Sequence, residues 1–211
     1  MKKTVITLAV VAFAAAAVQA TTTSANIVGY AKVNAIGGQL TLVALNFSGG
    51  STISDLIGDQ VPQGTVVNLW DKDGNTYVTD TKTRAGFSST ATVDLGDALW
   101  ISAGGSAGAT NEIIFSGEVL TDATNTVTYS TGIEATGYFY PVSTSWTDTD
   151  ISVQAPQGSV LNVWNGSSYT TSTKTRGGWS ANPTIGVAEG FWLQVPSETT
   201  VNEERPFSIL N

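Results

Sequence analysis

The chain has 211 residues, with 9 basic against 17 acidic side chains, a formal charge of −8, and neither Cys nor His. This balance argues against nucleic acid as a partner, because binding it needs clustered Lys and Arg to displace counterions. The two missing residue types exclude disulfides, thiol or imidazole nucleophiles and bases, and thiolate or imidazole metal sites. With charged residues at only 12% and Thr, Ser, Gly and Val abundant, the composition fits neither a disordered polyelectrolyte nor an ordinary cytosolic enzyme.

Residues 1–20 read as a secretory signal peptide: Lys2 and Lys3, an apolar run from Val5 to Val18, then the small-residue site Val18-Gln19-Ala20. Export to the cell surface or beyond is the expected localisation. No later stretch approaches the roughly 18–20 apolar residues of a spanning helix, so no membrane span is expected once the leader is gone. Residues 21–25 form a polar arm, followed by a strand from Asn26 through Ile27, Val28 and Tyr30 to Val33, and a second strand from Gln39 to Phe47. Ile53, Leu56 and Ile57 sit at helical spacing behind Ser51 and allow one or two helical turns.

The most informative stretch occurs twice. Pro62-Gln63-Gly64-Thr65-Val66-Val67-Asn68-Leu69-Trp70, then Tyr77, then Thr81-Lys82-Thr83-Arg84, reappears as Pro156-Gln157-Gly158-Ser159-Val160-Leu161-Asn162-Val163-Trp164, Tyr169 and Thr173-Lys174-Thr175-Arg176. The match runs on from Asp97-Ala98-Leu99-Trp100-Ile101 to Glu189-Gly190-Phe191-Trp192-Leu193. It also pairs Asn26, Val28 and Tyr30 with Asn125, Val127 and Tyr129, and Phe115 with Phe207. Such self-similarity reads as a duplication. The expected organisation is unit one at 26–120, a linker at 121–124 and unit two at 125–211. Short strands punctuated by Gly, Asn, Asp, Ser and Thr predict an all-β chain: two tandem antiparallel β-sandwich or small-barrel units, with at most one short helix.

Asp71-Lys72-Asp73-Gly74-Asn75 resembles the start of a calcium loop, but the remaining ligand spacing is missing and the second copy has only Asn165-Gly166 there. A hairpin turn is expected, with no metal and no cofactor. Period-two alternation puts Val67, Leu69, Leu161 and Val163 on an apolar core face. Trp70, Trp100, Trp164 and Trp192, with Asn68, Asn162 and Gln194, fall on a mixed face. Tryptophans so placed either stack on a sugar ring while the amides bond its hydroxyls, or are buried in a contact between units or subunits. Arg84 and Asp97, and their counterparts Arg176 and Glu189, are expected to pair.

Acids suited to glycoside hydrolysis exist (Asp94, Asp97, Asp148, Asp150, Glu189), but most lie in turn-like sequence, and no nucleophile elbow, Walker loop or dinucleotide fingerprint is present. An enzyme is therefore not expected. Ser24-Ala25-Asn26-Ile27-Val28-Gly29-Tyr30, with Gly178-Trp179 and Gly190-Phe191-Trp192, resembles a group of secreted bacterial β-rich repeat proteins of uncharacterised function. The resemblance implies export and a β-rich fold, no activity, and no functional residue to carry over.

Two functions from different classes remain. The first is a secreted or cell-surface structural protein that associates with itself into a fibre, surface layer or matrix, with the strand Asn26, Ile27, Val28, Tyr30, Val33 adding to a neighbour's edge or pairing within its own unit. The second is a module binding a glycan or other extracellular polymer through the tryptophans, with two sites from the duplication.

Overall fold

The computed structural model describes residues 27–48 and 50–209; the leader, the polar arm and Asn26 lie outside this range. The fold is all-β. In chain order come β1 (Val28–Ile36), β2 (Leu40–Ala44), β3 (Ser51–Thr52), α1 (Ile53–Ile57), β4 (Val66–Asp71), β5 (Thr76–Thr81), β6 (Thr92–Val93), β7 (Ala98–Ser102) and β8 (Thr110–Glu118). Then follow β9 (Thr124–Tyr129), β10 (Gly132–Gly137), β11 (Thr144–Ser145), a 3-10 turn (Trp146–Asp148), α2 (Asp150–Gln154), β12 (Val160–Trp164), β13 (Tyr169–Thr175), β14 (Gly178–Trp179), β15 (Thr184–Ile185), β16 (Gly190–Val195) and β17 (Thr199–Glu204).

All pairings are antiparallel, and none of the sheets among the described residues closes into a barrel. The first half forms the sheet β2-β7-β4-β5 and a long ribbon, β1 with β8. The second forms β10-β16-β12-β13-β14 and the ribbon β9 with β17. Each sheet packs its mainly apolar face toward its own ribbon and helix, with Asp80, Glu134 and Ser172 among the polar side chains on it. Val67, Leu69, Leu99 and Ile101 join Ile53, Ile57, Ile113 and Phe115 in one core. Leu161, Val163, Phe191 and Leu193 join Tyr140, Trp146, Ile151 and Val201 in the other.

Local chemistry explains the connections. Asp71 Oδ1 accepts the N–H groups of Asp73 and Gly74, both at 3.1 Å, and Asn165 Oδ1 accepts those of Ser167 and Ser168 at 3.1 and 2.9 Å. Both turns are thus held by a side chain mimicking the backbone. Thr52 caps α1 in a reciprocal box with Asp55. A second helix, α2, corrects the expectation of at most one; Thr149 accepts the N–H of Ser152 at 3.1 Å and provides the start signal.

The lysine of each Thr-Lys-Thr-Arg segment is spent on these helices. Lys174 Nζ donates to the carbonyls of Ser152 and Val153, each at 2.7 Å; Lys82 Nζ donates to Val61 O at 2.6 Å and to Gly58 O. A cation at a helix C-terminus satisfies carbonyls that have no partner within the helix. Outer ribbon edges are covered in the same paired manner. Gln60 exchanges two hydrogen bonds with the backbone of Ile114, and Gln154 two with Asn202. Each amide side chain stands in for a neighbouring strand.

Those glutamines also fix which ribbon residues correspond, and the correspondence differs from the sequence pairing at the chain ends. Tyr30 is 76% exposed whereas Tyr129 is 1% exposed, and Phe115 lies within β8 whereas Phe207 follows β17 and packs against both cores. The ribbons carry weaker side-chain constraints than the central sheets, so similar residue types there do not hold the same places.

Candidate binding cleft at the aromatic seam

The mixed faces of the two central sheets meet. Leu42, Ala44, Ala98, Trp100 and Ala135 form a third apolar cluster, with Trp70, Trp164 and Trp192 half-buried against it. Small residues let the backbones approach: a Cβ on Gly137 would lie 2.1 Å from that of Ala44. The contact is reciprocal. Ala44 N donates to Ala188 O at 3.1 Å, and Gly137 N to Gly96 O at 3.0 Å; the bridge Val43 to Glu189 is matched by Asp97 to Thr136. Asn46, buried, adds a further tie by donating to Tyr138 O and accepting from Ala188 N.

The predicted tryptophans are brought together as two crossed pairs. Trp70 stands edge-to-face with Trp192, centroids 5.0 Å apart, and Trp100 with Trp164 at 5.4 Å. A tyrosine flanks each pair, Tyr77 at 5.1 Å from Trp70 and Tyr169 at 5.0 Å from Trp164. Neither tyrosine was singled out in the sequence, although each occupies the cross-strand position opposite a tryptophan, Tyr77 opposite Trp70 and Tyr169 opposite Trp164, a signal that hairpin register carries.

Two places along this seam are equivalent by the reciprocal contact, and they differ. At one, Trp100 Nε1 donates to Tyr77 Oη at 3.2 Å and Trp164 Nε1 to Leu40 O at 2.9 Å, and Trp100 is only 8% exposed. Burial pushes the Tyr77 phenol up. At the other, Trp70, Trp192, Tyr169, Asn162 and Ile133 line an open, mostly apolar cleft of about 370 Å³. That volume lies near the lower end of the roughly 300–1,000 Å³ typical of small-molecule sites.

In the open cleft the Trp192 indole and the Tyr169 hydroxyl hold no hydrogen bond among the described residues, and Tyr169 is 45% exposed. Asn162 accepts from Thr171 Oγ1 at 2.7 Å through its oxygen, which leaves its NH₂ unspent; Asn68 does the same with Thr79. Trp70 Nε1 is buried without a partner. Gln194 is exposed on β16 and does not line the cleft.

The predicted ion pairs are not formed. Asp97 meets Lys72 at 3.4 Å, while Arg84 and Arg176 are exposed and carry no ion pair among the described residues. Both carboxylates close a turn instead: Asp97 Oδ2 accepts Asp94 N at 2.9 Å and Glu189 Oε2 accepts Gly186 N at 2.7 Å. A short loop with an orphaned N–H three residues back competes better for a carboxylate than a flexible surface arginine does.

Of the predicted assembly strand, Asn26 lies outside the described residues. Ile27 precedes β1, and Val28, Tyr30 and Val33 lie within β1, which pairs with β8 over all nine of its residues, so one edge is occupied within the chain. Among the described residues no group of three or more His, Cys, Asp or Glu could hold a metal, and no helix is long and apolar enough to cross a membrane. The chain matches no family model, and no curated protein or solved structure is significantly similar to it.

Proposed function

We propose that the protein is an exported binding module for an extracellular glycan. The observation that carries this reading is the open cleft in which Trp192, Tyr169 and Trp70 present aromatic surface beside three unspent polar groups, the Trp192 N–H, the Tyr169 hydroxyl and the Asn162 amide. A pyranose has one apolar face and a rim of hydroxyls, which is the complement of such a lining. Retention on cellulose, chitin or xylan beads tests the reading. Wild type should be retained on at least one of them, and Tyr169→Ala, which removes an exposed ring, should be released with its fold intact. Passage of wild type through all three refutes it.

One feature favours self-association as a second role. Val28, 71% exposed, and Tyr30 share the outer face of the β1–β8 ribbon with Ile114. Apolar side chains clustered on a ribbon face mark a contact surface. Sedimentation velocity distinguishes the cases: oligomers of wild type that dissociate in Tyr30→Ser support this role, and monomers in both remove it.

A further inference from the structure

Duplication of the sheets yields two equivalent places for a ligand, yet they are not equally available. Resting on the glycan-binding reading, we infer that the protein is monovalent and takes a neutral, equatorially substituted pyranose segment in the Trp192–Tyr169 cleft alone, the indole donors of the equivalent place being already paired within the chain.

Three differences carry the asymmetry. The Trp100 N–H, counterpart of the Trp192 N–H, is consumed by the Tyr77 hydroxyl, so the indole donor a sugar would use there is already paired. The Trp164 N–H is likewise consumed by Leu40 O. Finally, Tyr77, itself 38% exposed, stands 6.3 Å from Trp192 across the seam, a ring contact that Tyr169 does not make with Trp100 among the described residues. Its counterpart Tyr169 has no hydrogen bond to Trp192 and remains at the cleft wall. A ligand at the closed place must break an internal hydrogen bond before gaining an indole donor; at the open place it meets donors whose only competitor is water.

The ligand class follows from the lining. None of Trp70, Ile133, Asn162, Tyr169 and Trp192 is charged, and the chain carries a net charge of −8, so nothing in the cleft compensates a carboxylate or sulfate on the sugar. Stacking on an aromatic ring uses a pyranose face that carries axial C–H bonds and no axial hydroxyl, which glucose-configured rings and their N-acetylated forms present on both sides.

Calorimetric titration with cellohexaose and chitohexaose, and with hexagalacturonate as the acidic control, tests this. One neutral hexasaccharide should bind per chain, with the acidic one at least tenfold weaker. Tyr169→Ala should lose at least tenfold in affinity, whereas Asn68→Ala, at the equivalent of Asn162, should bind as wild type does. Two equivalent sites in wild type, equal binding of hexagalacturonate, or a loss in folded Asn68→Ala as large as that in Tyr169→Ala overturns the inference while leaving glycan binding in place. Absence of binding to both neutral sugars overturns the two together. If Asn68→Ala does not fold, the wild-type stoichiometry decides.

Discussion

Replacing Glu134 by Gln should remove much of the pH dependence of stability. Glu134 lies on β10, 9% exposed, near Lys72 and Asp97 of the first half. Burial, partly offset by Lys72 and reinforced by Asp97, pushes its carboxyl from 4.5 up to about 7. In the unfolded chain the proton leaves near 4.5, so between that value and about 7 the folded state holds more protons than the unfolded one. Stability then falls as pH rises through this window, and the full contribution is present only below it. At about 1.4 kcal/mol for each pH unit of difference, raising pH from 5 to 8 should cost about 2–3 kcal/mol, or about 5–10 °C in Tm for a chain of this size. Glu189 and Glu203 are also pushed up by burial and act in the same direction, so the comparison between wild type and Glu134→Gln isolates one group. Thermal melts at pH 5, 6, 7 and 8 should show the variant gaining on wild type as pH rises. A constant difference across these pH values, or a wild type that melts higher at pH 8 than at pH 5, refutes the assignment.

Other consequences are equally direct. Lys174→Met should lose the two bonds to the Ser152 and Val153 carbonyls and lower stability by about 1–3 kcal/mol, read from the urea midpoint. Gly137→Val places a branched side chain where a single Cβ already lies 2.1 Å from Ala44, so it should cost about 3 kcal/mol or more and loosen the seam, visible as increased fluorescence quenching of the tryptophans by acrylamide. The turns before β7 and β16 differ usefully. Gly96 has φ of +86° and a Cβ there would meet Phe139 at 2.5 Å, whereas Ala188 already adopts φ of +57° beside Asn46. Gly96→Ala should therefore destabilise by about 2 kcal/mol or more, while Ala188→Gly stays within about 1 kcal/mol by chemical denaturation.

Much of the architecture was legible because it is written in residue alternation. Val67 and Leu69 against Val66, Asn68 and Trp70 separates core from seam, and the strand pair reproduces this division in both halves. What alternation cannot supply is the partner of the mixed face. That Trp70 meets Trp192, and Trp100 meets Trp164, follows from how two sheets dock, a contact between residues far apart in sequence. The asymmetry of the clefts is finer still, since it turns on whether a tyrosine hydroxyl reaches an indole N–H. Asp97 and Glu189 were misassigned to arginines because spacing reveals nearness along the chain and not the competing backbone donors of their own turns. The role of Lys82 and Lys174 is not legible in the sequence for a related reason: the helix ends they satisfy lie more than twenty residues upstream.

The central claim is that one cleft is open and its equivalent is closed, and the indole N–H spectrum of ¹⁵N-labelled protein reads this directly. Six tryptophans give six resonances to assign. Without ligand, the Trp100 and Trp164 signals should exchange slowly with solvent and the Trp192 signal quickly; on adding cellohexaose or chitohexaose, the Trp192 signal should shift while those of Trp100 and Trp164 stay. Shifts at Trp100 and Trp164, or a Trp192 signal indifferent to both sugars, would contradict the account.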